Sequence, residues 1–498
     1  MNWFGKQKPK GKKSKSAKAV AADGPAAASP ASAPAAPTPA PSPAPAAAKA
    51  AATPAPTPTP TPTPTPVRPK AARETPRAPA FPGFQSTATD EVDMHGADRF
   101  TAARLRLRRA FTPAQPINER WLFAGRRGLL AKLIRSIEDE RLHTIVYGPR
   151  GIGKTSLLHV VAEAARDARY LLSYISCGAD ATFDAIFRTV AGDIPLMFHE
   201  AYGPTSAEAE RGGVVADLLG PNPVSPQRAS EICAKVVGTR ALVIVDEFDR
   251  CTSHDFRRDV VEFLKNLSDR SVRVQLVIAG VAENLDDLLE SGVLLQRNVV
   301  ALEVPPMTTD ELKDLLGIGQ DISGLTFEPV AADILVGAAH GMPYVASLLA
   351  QHAALAALAD ARLQVQAQDV RAAIDEALAQ MSGRMPRTAV TQLTTMTEDA
   401  PENLLGGLAR LALADNGRFT LEDINASASS ALEGARLTAF VERMAREGGP
   451  IFPVEGEAGR YAFTDASIAP YLWLLAFSRT AAGKTAASPR RPAASEAR

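Results

Sequence analysis

Cysteine is scarce: Cys177, Cys233 and Cys251 are the only three in 498 residues. An odd number without CxxC or Cys/His spacing supplies neither a disulfide framework nor a structural zinc site. It fits a reducing cytosol, so a cytoplasmic location is expected. Long hydrophobic runs are missing too. No stretch reaches the roughly 18 apolar residues that a membrane-spanning helix needs, and YLWLLAF at Tyr471 to Phe477 is far too short. The opening MNWFGKQKPKGKK is basic, but Ala and Pro follow it where a secretory signal has an apolar core. Net charge is also lacking, with 55 Lys and Arg against 55 Asp and Glu.

That zero conceals an asymmetry. Through Ala80 there are 12 basic residues against 2 acids, which leaves 43 against 53 for the rest: a basic arm on an acidic body. Residues 1–80 are almost wholly Ala, Pro, Thr, Ser and Lys, including PTPTPTPTPTP. They hold too few apolar side chains to offset the entropy of ordering, so a disordered tail with stiff, extended stretches is expected, and a second short tail over 481–498. The segment KQKPKGKKSKSAK can touch nucleic acid, anionic lipid or the acidic body. A solubilising arm with no fixed partner weighs as much.

What is present after residue 98 is periodicity. A linker, 81–115, carries the basic helix DRFTAARLRLRRAF, read as a surface helix ahead of the first domain, with a polyanion contact as the lesser alternative. Over 116–303 amphipathic helices alternate with the uniformly apolar strands HTIVY, RYLLSYISC, ALVIVD and VQLVIAG. Such strands belong in a parallel sheet covered on both faces, so the fold class is α/β, a doubly wound P-loop NTPase core. Purely helical patterns over 304–382 predict a small helical lid domain. Over 387–480, helices followed by the hairpin strands PIFPVEG and GRYAFT have the outline of a winged helix.

One motif carries chemistry. Gly148-Pro149-Arg150-Gly151-Ile152-Gly153-Lys154-Thr155 satisfies GxxxxGK[ST] between a strand and a helix. Glycines let the backbone turn its N–H groups onto phosphate oxygens, and the helix start adds partial positive charge. Lys154 reaches the terminal phosphates, the Thr155 hydroxyl suits Mg²⁺, and Ser156 opens the helix at the same site. The strand ALVIVDEFDR ends in Asp246 and Glu247. Successive strand side chains point to opposite faces, so the two acids are expected to divide the work: Asp246 in the Mg²⁺ shell, Glu247 orienting or deprotonating the attacking water. ATP and Mg²⁺ are the expected cofactors.

YGPRGIGKTSLL with LVIVDEFDR resembles the AAA+ and STAND branch of P-loop ATPases, and especially origin-recognition-like and transposition-helper ATPases. LFAGRRGLLAKL is similar to an element that flanks the adenine there, which implies a base-side role for Phe123 and Arg126. GMPY, Gly341 to Tyr344, is similar to the GxP motif that opens a lid helix, which implicates Pro343. GMPYVASLL lacks the lid arginine usual in origin-recognition members, and so leans to the STAND side, where nucleotide state works as a switch. The resemblance also implies a sensor residue just after VQLVIAG, with Asn284 or Glu283 as candidates. It sets Arg297 where related ATPases place an arginine that reaches a neighbouring subunit's nucleotide; a surface arginine before an edge strand is the equal alternative. His340 is expected to cap a helix and Trp121 to pack.

Two functions follow from the resemblance. One is an ATP-hydrolysing switch acting on an unidentified protein partner, with nucleotide-dependent homo-oligomerisation. The other is a DNA-associated initiator or transposition-helper ATPase. Residues 387–479 carry 8 basic and 12 acidic groups, and duplex affinity comes largely from neutralising phosphates. DNA contact is therefore expected through the basic tail and the Arg104 to Arg109 helix, not the winged helix.

Overall fold

The computed structural model describes residues 98–270, 272–282, 288–289, 299–398, 402–413, 418–420, 422–423, 426, 431–446, 449–454, 459–465 and 467–486. The basic tail, Glu283, Asn284 and Arg297 lie outside the described residues.

The first strands are β1 (His143–Tyr147), β2 (Leu171–Ser176), β3 (Ala241–Asp246), β4 (Val274–Gly280) and β5 (Val299–Glu303). They form one parallel sheet in the order β2-β3-β4-β1-β5. Every residue of β3 and β4 is buried, as the unbroken apolar runs require of strands covered on both faces. The pleat splits them between two cores. Val243, Val245, Leu276 and Ile278 pack with Phe183, Phe187 and Phe263 on one face. Leu242, Ile244, Val277 and Ala279 pack with Leu133, Leu157 and Leu158 on the other.

The helices are α1 (Arg99–Ala110), α2 (Arg127–Glu138), α3 (Lys154–Asp167), α4 (Phe183–Gly192), α5 (Ala207–Glu210), α6 (Pro226–Cys233) and α7 (His254–Asp269). Beyond β5 come α8 (Thr309–Ser323), α9 (Pro329–Ala339), α10 (Pro343–Ala359) and α11 (Ala367–Ser382). A two-stranded ribbon of β6 (Thr326–Phe327) and β7 (Gln364–Val365) interrupts them.

Helix α1 is more than a surface lead-in. Asp98 caps it, accepting from the Phe100 N–H at 2.8 Å, and its arginines face water, but Ala103, Leu107 and Phe111 are buried in the core built by α8–α11. The fit is close: a Cβ at Gly319 in α8 would fall 2.1 Å from Phe111 Cζ. A periodic pattern announces an apolar face without saying which partner covers it.

The remaining elements are α12 (Arg387–Glu398), α13 (Glu402–Leu413), β8 (Arg418–Thr420), α14 (Ala431–Met444), β9 (Ile451–Pro453), β10 (Arg460–Phe463) and α15 (Ile468–Ala486). The strands pair antiparallel in the order β8-β10-β9. Helix α15 corrects the expected C-terminal boundary: it runs through the alanine-rich TAAGKTA to Ala486, where a tail was read from 481. Alanine favours continuation of a helix already anchored by Leu472 and Leu474, both 0% exposed. Trp473 Nε1 donates to the Ala338 carbonyl at 2.9 Å, fixing α15 against the end of α9.

Candidate nucleotide site

The site is a cleft of about 860 Å³ at the C-terminal edge of the sheet, walled on the opposite side by α8 and α10. Clefts of this size and position hold nucleotide-sized ligands in open α/β sheets. Its floor is the loop between β1 and α3. Gly148, Gly151 and Gly153 have φ of 143°, 76° and 96°, backbone conformations that side chains rarely adopt. A Cβ at Gly148 would also meet the Val304 carbonyl oxygen at 3.0 Å. The glycine spacing is thus a conformational requirement of the loop.

Lys154 opens α3 and is 8% exposed. Its Nζ donates to the Gly148 and Pro149 carbonyls at 2.8 and 2.9 Å. Burial pulls its pKa down to about 8, against the opposing pull of Asp249 and Asp246. Arg150, Gly151, Gly153, Thr155 and Ser156 line the cleft with it. The Ser156 hydroxyl accepts from the Ile117 N–H at 3.0 Å, tying the segment after α1 to the start of α3.

Strand β3 is not beside β1; β4 lies between them. Asp246 nevertheless lines the cleft and is 3% exposed. Tyr174 Oη donates to its Oδ2 at 2.8 Å, and the Glu247 N–H donates to its Oδ1 at 2.8 Å. Glu247 corrects the pleat argument. Its φ is 54°, so the strand has ended, and both acids line the same cleft. A left-handed turn separates their environments. Asp246 is sealed in, while Glu247 has a side chain 44% exposed, its Oε2 accepting from Ser176 Oγ at 2.6 Å and Arg250 at 2.8 Å. These contacts, Ser176 first, hold the Glu247 carboxyl below the usual carboxylate range.

Residues that sequence reasoning passed over complete this wall. Tyr174 and Ser176 stand two apart on β2, hence on one face, but only the β2–β3 pairing brings them to Asp246 and Glu247. The His159 ring stacks on Tyr174, centroids 4.7 Å apart. Asp249 also lines the cleft and accepts from the Val281 N–H, just past β4, at 2.7 Å.

The start of α10 forms the other side. Pro343, Tyr344 and Ser347 line the cleft. A Cβ at Gly151 would touch Tyr344 Cβ at 3.4 Å, and one at Gly153 would touch Pro343 Cγ at 3.6 Å. Phe123 and Arg126 do not line it: Phe123 packs against the core on the α2 side, and Arg126 is buried against the loop, donating to the Ile152 carbonyl. Apolar contacts at that end come from Ile117, Leu122, Leu315 and Ile318. His340 does cap α9, in the left-handed conformation, and its ring also meets Trp473 at 4.1 Å. Trp121 is not packed away: it is 51% exposed, with the Arg109 guanidinium 5.0 Å above its ring. Among the described residues no cluster of three or more His, Cys, Asp or Glu can hold a metal by itself.

A family model described as Novel STAND NTPase 1 matches residues 110–447, from the end of α1 into the last turns before β9. The chain belongs to this STAND NTPase family. Its parallel five-stranded sheet, with the glycine loop between β1 and α3, is that of a P-loop NTPase core. No curated protein matches this STAND NTPase. Among solved structures, it is similar to Cdc6p of Pyrobaculum aerophilum at 15% identity and TM-score 0.42, over 75% of this chain and 98% of that one. It is similar to the ORC2 protein of Aeropyrum pernix at 17% and 0.39, over 76% and 99%. The third is the RuvB Holliday junction branch migration motor of Thermotoga maritima, at 16% and 0.36, over 69% and 96%. Likenesses at this level say nothing about activity. Among the described residues no helix is long and apolar enough to cross a membrane.

Proposed function

We propose that this STAND NTPase is a cytoplasmic ATP-binding and ATP-hydrolysing switch that acts on a protein partner. The observation that carries this reading is the contact of the lid with the phosphate loop. Pro343 and Tyr344 lie directly over Gly153 and Gly151, and three residues earlier in the chain His340 meets Trp473 of α15. A ligand that moves the loop or α10 therefore pushes on the C-terminal helix. We read the chain as a core over 116–303, a lid over 304–382 and a winged helix over 387–480.

The residues present fit a magnesium nucleotide. Three glycines at positive φ shape a backbone cradle, Lys154 supplies the cation, and Thr155 and Asp246 are the groups that would hold Mg²⁺. When bound, Mg²⁺ neutralises phosphate charge. Asp246 is kept in place by Tyr174, and Glu247, open to solvent, orients or deprotonates the attacking water.

A second reading, a DNA-associated ATPase, draws support from the exposed arginines of α1, among them Arg99, Arg104 and Arg106. One experiment separates the two. ATPase rate and particle size are measured over a range of protein concentrations, with and without duplex DNA, for wild type and Arg297→Ala. ATP-dependent assembly indifferent to DNA supports the switch. Stimulation by DNA that disappears with salt and with removal of the first 110 residues supports the second reading. Turnover that is independent of concentration and of Arg297 rules out a contribution of that arginine in trans.

A further inference from the structure

The guanidinium of Arg126 packs against the phosphate loop without lining the cleft, within 3.0 Å of where a Cβ at Gly153 would fall. Its residue is 6% exposed. Nη1 donates to the carbonyl of Ile152, the residue between Gly151 and Gly153. Nη2 donates to the carbonyl of Pro305, just past β5 where the chain turns toward α8, at 2.7 Å. Its Nε is buried with no hydrogen-bond partner. Burial lowers the pKa of this arginine to about 10 despite the opposing pull of Glu311. Burying a cation this way carries a cost that a surface arginine avoids.

The backbone at this residue is equally constrained. Arg126 precedes α2 at φ 51°, a conformation unfavourable for a residue with a Cβ. It is held there by Glu311, whose Oε1 accepts the Arg126 N–H at 2.5 Å and whose Oε2 caps α8 by accepting from the Thr308 N–H at 2.9 Å. Gly125 is pressed so closely to Glu311 that a Cβ there would lie 2.7 Å from Glu311 Cβ. One arginine thus touches the loop, the end of the core and the first lid helix.

The geometry points to Arg126 as a positioning residue that clamps the phosphate loop to the lid. By fixing the Ile152 carbonyl it sets the peptide plane that aims the Gly153 N–H, and through Pro305 and Glu311 it ties that plane to the start of α8. A rigid cradle binds phosphate without first having to order itself. This inference rests on the nucleotide reading, and gives the FAGR segment a role in holding phosphate where a base contact was expected.

The test uses the full chain, with ADP as the probe. Arg126→Lys keeps a buried cation and one of the two carbonyl contacts. It is expected to weaken ADP binding about tenfold or more by calorimetry, and to speed amide hydrogen exchange at residues 148–153 while leaving β1 and α3 protected. Unchanged ADP affinity overturns the inference. So does faster exchange spread evenly through β1, α2 and α3, since that is lost packing and not lost positioning. Should this variant not fold, Glu311→Gln tests the same clamp from the lid side. It is expected to loosen residues 148–153 and the start of α8 together, and no change at either overturns the clamp. A wild-type chain that binds no ADP removes the nucleotide reading, whereas the exchange pattern separately decides whether Arg126 holds the loop.

Discussion

Tyr174 donates its phenolic hydrogen to Asp246 at 2.8 Å from the neighbouring strand, so the most buried acid of the cleft has one oxygen fixed before any ligand arrives. The same contact raises the Tyr174 pKa, after burial itself and together with the charge of Asp246. The phenol stays a donor throughout the working pH range. Tyr174→Phe is expected to leave ADP binding in EDTA unchanged while raising the Mg²⁺ concentration for half-maximal turnover about tenfold, the scale of a hydrogen bond to a charged group. Magnesium titration of the ATPase checks this, and an unchanged midpoint would remove Tyr174 from the site.

Glu247 is the residue whose loss should separate binding from turnover. Glu247→Gln preserves shape and most hydrogen bonding and is expected to retain ADP and ATP affinity while lowering turnover about 10²- to 10⁴-fold, the range for general base catalysis. If wild type and variant hydrolyse equally, hydrolysis is not performed by this carboxylate.

The acidic limb of the pH–rate profile should report the contacts of Glu247. Its folded-state pKa is depressed, first by Ser176 and then by Arg250. The carboxylate is therefore already charged at a pH below the ordinary range, and its base function is lost only as pH falls through the depressed value. Ser176→Ala removes the larger cause and is expected to move the acidic limb upward while the fold stays intact. A limb that does not move means that another group sets it.

Lys154 makes the opposite kind of prediction. Burial chiefly lowers its pKa, to about 8, well below the ordinary lysine value. For a base this sign means that holding the charged form costs stability below the folded value, and that the penalty fades as pH rises toward the unfolded value. A polyanion in the cleft restores the proton. Binding of ADP near pH 9 is expected to take up as much as one proton, read as a buffer-dependent calorimetric enthalpy. The uptake should vanish in Lys154→Met.

The docking of α1 on α8 can be tested by adding one methyl group. In Gly319→Ala the new Cβ would overlap the Phe111 ring, 2.1 Å from its Cζ. Overpacking of this kind costs about 1–3 kcal/mol, so a lower thermal midpoint is expected. Phe111→Leu should partly restore it.

The loop could be read residue by residue from the chain because its requirements are local. The loop holds three positive-φ glycines, two of them fixed by GxxxxGK[ST], and a helix start, and all of that lies within eight residues. The strands β1, β3 and β4 were equally legible, since burial on both faces leaves a mostly apolar run. The turn at Glu247 was not. A left-handed residue after a strand has no mark in the letters DEF, and pleat alternation was extended one residue too far.

Tyr174, Ser176 and Asp249 were missed, and Arg126 was given a base-side role, for a common reason: each acts on a partner that only the strand order or α8 brings near. By itself the sequence determined the α/β class, the phosphate loop and the paired carboxylates, because hydrophobic periodicity and backbone stereochemistry act over a few residues. Tertiary structure alone decided that β4 runs between the loop and Asp246, that α1 belongs to the core of α8–α11, and that Arg126 reaches Ile152 and Pro305. The Arg126–Pro305 contact alone joins residues 179 positions apart. Chain closure over such distances follows from the packing of whole elements, which no local pattern encodes.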